Sequence, residues 1–116
     1  MFLESCVFCR IVRGQATATI VYRDELVVAF RDIHQAAPTH ILIVPIGHIS
    51  SLNDLGQPDE PLLGHMIRMA HELAVRENVD GSGYRIVINT GPEAGQSVSH
   101  LHLHLLAGRR MQWPPG

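Results

Sequence analysis

Hydrophobic and polar positions along the chain change period several times, and each change marks an element. Two short runs rich in β-branched or apolar residues, Thr19 to Arg23 and Leu26 to Arg31, flank the Asp24-Glu25 corner and predict a β-hairpin. Before them, Cys6 to Arg13 predicts a short helix stopped by Gly14. Ala36-Ala37-Pro38-Thr39 breaks the pattern, and His40 to Val44 then reads as a buried strand closed by Pro45 and Gly47. From Asp59 the period turns helical. Leu62, Leu63, Met66, Ile67, Ala70, Leu73 and Ala74 recur on one side while Arg68, Glu72 and Arg76 lie on the other. Asp59 suits the N-cap and Pro61 the first turn, and the helix should end near Asn78, before Gly81-Ser82-Gly83. Tyr84 to Asn89 predicts a fourth strand, Gly91 to Ser99 a glycine-containing loop, and His100 to Leu106 a fifth strand. No internal repeat interrupts this α+β layout.

At 116 residues the chain has room for one core, so residues 1–116 are expected to form a single domain. With 46% hydrophobic and 17% charged residues it is an ordinary folding sequence and not a disordered one. Nine arginines, no lysine, eleven acids and eight histidines give a formal charge of −2, and the longest basic cluster is Arg109-Arg110, which argues against a nucleic-acid partner. No apolar run approaches the roughly 18 residues a membrane span needs, and Met1-Phe2-Leu3 meets Glu4 at once, so a cytoplasmic protein without a membrane partner is expected. In that compartment Cys6 and Cys9 are reduced thiols at the spacing of a metal knuckle or a redox pair. A thioredoxin-like role has poor support, because no βαβ pattern surrounds them.

The chemistry concentrates at His100-Leu101-His102-Leu103-His104-Leu105-Leu106. On a strand, alternation puts three imidazoles on one face and Leu101, Leu103 and Leu105 on the other. A three-histidine zinc centre does not fit, since the outer two Cα atoms lie about 13 Å apart along a strand and zinc holds each nitrogen at about 2 Å. Histidines can instead act separately, as nucleophile, acid or base, and charge donor.

This run matches the His-φ-His-φ-His-φ-φ motif of the histidine triad family, and the resemblance extends over nearly the whole chain. Phe30-Arg31-Asp32-Ile33, Ala37 to Pro45, Gly47-His48-Ile49-Ser50, Gly83-Tyr84-Arg85, Asn89, Gly95-Gln96-Ser97 and the Trp113 to Gly116 tail all look like its nucleoside phosphoramidase branch. The resemblance implies a five-stranded antiparallel sheet with two helices, a homodimer joining two sheets into ten strands, and hydrolysis of a purine nucleoside 5′-phosphoramidate. It implies that His102 attacks the α-phosphorus, its other ring nitrogen held by a backbone carbonyl near His100, leaving a nucleotidyl-histidine for water to hydrolyse, and it counts His100, His48 and Ser97 with His102 and His104 in the catalytic set. His104 then contacts the phosphate oxygens or the leaving group, with Ser97, Gln96, Gly95 and Asn89 on the phosphate side. Asp32 resembles the ribose-binding carboxylate. Phe8, Ile11, Phe30 and Ile33 would wall the purine; the plainer reading of these four is core.

Some members of the family hold zinc with a Cys-x-x-Cys, the histidine of the Gly-His-Ile segment and the first histidine of the triad. Cys6, Cys9, His48 and His100 stand at those positions. Four protein ligands leave no open position, so such an ion would be structural and would brace His100. The alternative is two small thiols that pack as apolar groups and bind nothing.

His65 and His71 are expected to be solvated on the polar flank of the helix, His34 to be a surface residue, and His40 to bond to backbone. Met66, Met69 and Ala70 fit either the core or a partner protomer. Ser99 and Ala107 depart from the family pattern beside the triad, where an aromatic residue and glycine are frequent. A dinucleoside polyphosphate hydrolase or nucleotidyl transferase would use the same nucleophile, and a nucleotide-binding scaffold dimer is the non-enzymatic alternative.

Overall fold

The computed structural model describes Met1–Gly116. One five-stranded antiparallel sheet organises the chain, in the order β1 (Ile20–Arg23), β2 (Val27–Arg31), β3 (Thr39–Pro45), β5 (Leu103–Ala107), β4 (Tyr84–Val87). Helix α1 (Val7–Val12) lies on one face and helix α2 (Glu60–Arg76) on the other. This is the expected α+β architecture of five strands and two helices. No helix is long and apolar enough to cross a membrane.

Period-two alternation divides β2, β3 and β5 between two cores. Val27, Ala29, Ile41, Ile43, Leu101, Leu103 and Leu105 pack with Met66, Met69, Ala70 and Leu73 of α2. Val28, Phe30, Leu42 and Val44 pack on the opposite face with Phe8, Ile11 and Val12 of α1. Met66, Met69 and Ala70 are therefore core residues. Each fully buried large aliphatic side chain contributes about 1.5–3 kcal/mol, so the doubly covered β2 and β3 are the rigid platform for whatever their neighbours present.

The Asp24 corner forms as expected: its Oδ1 accepts from the backbone N–H groups of Leu26 (2.7 Å) and Val27 (2.9 Å). Asp59 behaves differently from a capping residue. Its carboxylate accepts from Gly56 N at 2.9 Å, inside the 3-10 turn Gln57–Asp59 that precedes α2, and makes no side-chain bond to the helix itself. The helix ends at Arg76, with Asn78 in the left-handed region at φ 59°. His65 also departs from expectation. It is half-buried, and its Nε2 lies 2.6 Å from Asp24 Oδ2, which Tyr22 also reaches at 2.7 Å; the histidine pins α2 to the hairpin corner. His71 is exposed, as expected.

The fifth strand begins later than the alternation suggests. Leu103 is the first residue of the ladder, because Leu101 N bonds to Ile49 O (2.6 Å) and the chain bends through Val98, Ser99 and His100. Alternation survives the missing ladder bonds: Leu101 and Leu103 still face α2, and His102 and His104 still face α1. The fourth strand likewise stops at Val87, two residues short of Asn89.

Candidate functional site

A cleft of about 360 Å³ opens on the α1 face of the sheet. Phe8 and Ile11 come from α1, Phe30 and Leu42 from the middle strands, Asp32 and Ile33 from the end of β2, Ser97 and Val98 from the loop before β5, and His102 and His104 form its reactive wall. Both readings of the apolar residues hold for Phe8, Ile11 and Phe30, which belong to the second core and also line the cleft. Ile33 is 84% exposed and stands at the rim.

Hydrogen bonds settle which nitrogen of each imidazole carries a proton. His102 Nδ1 lies 2.7 Å from the carbonyl oxygen of His100, an acceptor only, so Nδ1 holds the hydrogen and Nε2 keeps its lone pair. The His102 ring meets the edge or face of Phe8 (5.2 Å) and His104 (5.0 Å), which restrict its rotation.

His40 Nδ1 accepts from Ala36 N at 3.0 Å, the backbone bond expected of it. Its Nε2 must then be the protonated nitrogen, and that N–H donates to His104 Nδ1 at 2.8 Å. His104 is left with its hydrogen on Nε2. Asp32 Oδ2 lies 3.4 Å from the same His40 nitrogen, while Asp32 Oδ1 accepts from His34 N at 2.8 Å. Asp32, His40 and His104 come close enough to resemble a two-histidine, one-carboxylate metal set. The Ala36 bond argues against it, because a metal on His40 Nε2 would force a hydrogen onto Nδ1, facing the amide hydrogen. Burial lowers the proton affinity of all three inner histidines. His100 is pushed down to about 4, chiefly by burial, helped by His48 and His102. His104 is pushed down to about 4 by burial, then by His102 and His40, against a smaller opposing effect of Asp32. Burial also lowers His40, again against Asp32. All three are neutral at physiological pH.

Behind the cleft, Cys6, Cys9, His48 and His100 converge, each offering one ligand atom within 4.8 Å of the others. His100 Nε2 donates to Pro45 O at 3.0 Å, which leaves its Nδ1 lone pair aimed at Cys6 Sγ (3.3 Å) and Cys9 Sγ (3.6 Å). His48 Nδ1 lies 3.4 Å from Cys9 Sγ. A tetrahedral zinc with ordinary bond lengths sets its sulfur-to-nitrogen edges at about 3.6 Å, so these four residues fit the ion in donor type and in spacing. Burial pushes the Cys9 thiol up, a cost that a bound cation would reverse. His48 and His100 belong to this cluster and do not line the cleft.

Other expected contacts fall elsewhere. Gln96 uses its side chain to hold the loop: Oε1 accepts from Gly91 N (3.0 Å), and Nε2 donates to Ser50 O (2.7 Å) and Val98 O (3.1 Å). Gly95, at φ 82°, closes the 3-10 turn Pro92–Ala94. Neither residue lines the cleft, nor does Asn89. Thr17, Ala18, Arg31 and His34 line it without having been expected there. The His40 partnership was also missed, although alternation with Leu42 and Val44 on β3 places His40 on the cleft face.

Known proteins share the sequence and the fold of this chain. The chain is 46% identical over 106 residues, 91% of its length and 89% of the other's, to a purine nucleoside phosphoramidase of Escherichia coli. Its structure resembles that of a HIT family hydrolase from Legionella pneumophila at a TM-score of 0.95, with 47% identity over 97% of this chain and 100% of that one. It also resembles a zinc-bound histidine triad family protein from Mycobacterium smegmatis at a TM-score of 0.79, with 35% identity over 91% of this chain and 76% of that one. The HIT domain matches residues 13–111, and by that match the protein belongs to the HIT domain family.

Proposed function

We propose that residues 1–116 form one histidine triad domain that hydrolyses purine nucleoside 5′-phosphoramidates through a nucleotidyl-histidine on His102. The observation that carries this reading is the bond from His102 Nδ1 to His100 O, which turns an unprotonated Nε2 toward a nucleotide-sized cleft. Purine and ribose occupy the end lined by Phe8, Ile11, Phe30 and Ile33, with Asp32 accepting from the sugar hydroxyls. His102 Nε2 attacks the α-phosphorus, the P–N bond breaks, and the amine leaves with a proton from solvent. The adduct is an imidazolium whose Nδ1–H still points at the His100 carbonyl, so the negative end of that dipole stabilises the positive charge developing on the ring. His104, held neutral with its hydrogen on Nε2, donates to a non-bridging oxygen or the leaving group, and Ser97 is a second donor at the mouth. Gln96 and Gly95 act indirectly, by fixing the loop that carries Ser97. Water then hydrolyses the adduct.

Cys6, Cys9, His48 and His100 would hold a structural zinc ion. When bound, it supplies charge neutralisation for two thiolates and fixes the His100 backbone. The proposed homodimer rests on β4, an edge strand with half-exposed side chains and no partner on its outer side, and α2 adds the exposed apolar residues Ile67 and Val75. Two copies pairing along β4 would make a ten-stranded sheet.

Acid-free quenching with adenosine 5′-phosphoramidate, followed by peptide mass spectrometry, tests the chemistry. The expected result is an adenylyl group on the peptide carrying His102. Turnover without any adduct on that peptide would exclude the mechanism.

A further inference from the structure

The largest groove of the molecule, about 590 Å³, lies outside the nucleotide cleft, and neither the catalytic reading nor the metal cluster uses it. Its walls include Ser82, Tyr84, Arg85, Arg109, Arg110 and Met111. Three of the nine arginines of a chain with net charge −2 therefore meet in one place, at the β4 edge proposed above to pair with a second copy, and none of the three has an acidic partner within its own chain.

Strand register relates this groove to the reaction. Val87 pairs with His104, and Arg85 pairs with Leu106. Tyr84 and Ile86 pack on the α2 side, so Arg85 projects from the face that carries His104. Two residues along a strand and one strand across put the Arg85 Cα about 8 Å from that of His104, within reach of an extended arginine. The nucleotide cleft lies toward β2 and β3, on the other side of His104 from β4. With the base seated there and phosphorus at His102, the departing group points toward β4. Arg85 already donates from Nη2 to Gln112 O (3.1 Å), which ties the tail segment to the same wall. Arg109 is anchored by Nε to Ala36 O (2.9 Å) and by Nη1 to Arg110 O (3.1 Å), so its guanidinium is positioned before any ligand arrives.

We infer that this arginine groove is the leaving-group subsite and that it selects leaving groups bearing an anion, a carboxylate or a phosphate. This deepens the proposed phosphoramidase reading and rests on it. Guanidinium groups suit such a ligand because they bind planar or tetrahedral oxyanions through paired hydrogen bonds. The α-phosphoryl group is held separately at His102, His104 and Ser97, so a second anionic group needs its own cations.

The test compares two adenosine phosphoramidates that differ only in charge, made from glycine and from glycinamide, with a diadenosine polyphosphate as the phosphate arm. The glycine compound is expected to have a kcat/KM about tenfold higher than the amide, mostly through KM. Arg85→Gln and Arg110→Gln should each shrink that preference severalfold, Arg85→Lys should restore part of it, and added salt should reduce it. A preference only for the polyphosphate assigns the subsite to phosphate, and a preference only for the glycine compound assigns it to carboxylate. Equal kcat/KM for all three substrates in the wild-type protein, or a preference unchanged in both glutamine variants, overturns the inference while leaving the nucleotidyl-histidine intact. Absence of an adduct on His102 with every substrate overturns the mechanism and the subsite together.

Discussion

The carbonyl oxygen of His100 stands 2.7 Å from Nδ1 of His102, so one histidine of the triad decides the tautomer of the next through its backbone. The side chain of His100 is meanwhile committed to Pro45 O and to the cysteines. His102→Ala should therefore lower turnover by about four orders of magnitude or more, the scale seen when a nucleophile is removed. Far-UV circular dichroism should be unchanged, because the leucines that flank His102 hold the chain against α2. Residual activity within tenfold of wild type would point to another nucleophile.

In the proposed reaction His40 acts through His104, to which its Nε2 donates at 2.8 Å. Removing a donor aimed at a developing oxyanion costs about 10²–10³ in kcat, and this is the expected loss for His104→Ala. His40→Ala leaves His104 in place but frees its tautomer and its ring. It should lower kcat by about tenfold, with a smaller effect on KM, since the cost falls on transition-state stabilisation and not on nucleotide binding. Steady-state kinetics of the two single variants and the double variant check the relationship. If His40 works through His104, the two losses will not add.

The layout of elements is legible in the sequence because each hydrophobic period corresponds to a buried face. Met66, Met69, Ala70 and Leu73 recur as a helix because they meet the side of β3 and β5 that carries Ile41, Ile43 and Leu105. The triad is legible for the same reason. What alternation does not reveal is hydrogen bonding between elements far apart in the chain. His65 has the surroundings of a solvated helix residue, yet Asp24, 41 residues away, makes it a pinning contact. Gln96 sits among glycine and serine as a phosphate donor would, but its amide is consumed by Gly91, Ser50 and Val98. The link between His40 and His104 spans 64 residues and depends on β3 and β5 being neighbours, which the sheet order shows and the local pattern does not.

Acid should destabilise the fold before the carboxylates titrate. His100 and His104 are held at about 4 in the folded protein, below the ordinary value near 6.5. Between these values the unfolded chain binds more protons than the native one, so stability is fully present above about 6.5 and is lost as pH falls toward 4. Linkage gives on the order of a few kcal/mol for the two coupled groups together over that interval. Asp24 adds to stability in a lower range: burial alone would raise its carboxyl, but hydrogen bonds from Tyr22, His65, Leu26 and Val27 hold it well below the usual carboxylate range. Urea unfolding at pH 7, 5.5 and 4.5 should show a falling midpoint at each step. A midpoint at pH 4.5 equal to that at pH 7 would mean that the histidines are not buried neutral.

Removal of zinc should loosen one side of the molecule without unfolding it. The four candidate ligands tie α1 to the segment before β5, and Met1 O accepts from His48 N at 2.8 Å, so the first residues share the same anchor. Small zinc-dependent domains unfold completely without metal, but here two apolar cores persist on both faces of the sheet. Protein purified without a chelator or a polyhistidine tag should contain one zinc per chain by elemental analysis. A strong chelator should lower Tm by several degrees and speed proteolysis near the N-terminus, and Cys6→Ser or Cys9→Ser should do the same without a chelator. The His102 adduct should still form, more slowly, because the His100 carbonyl loses part of its support. Metal-free protein with an unchanged Tm after chelation would identify the cysteines as packing groups alone.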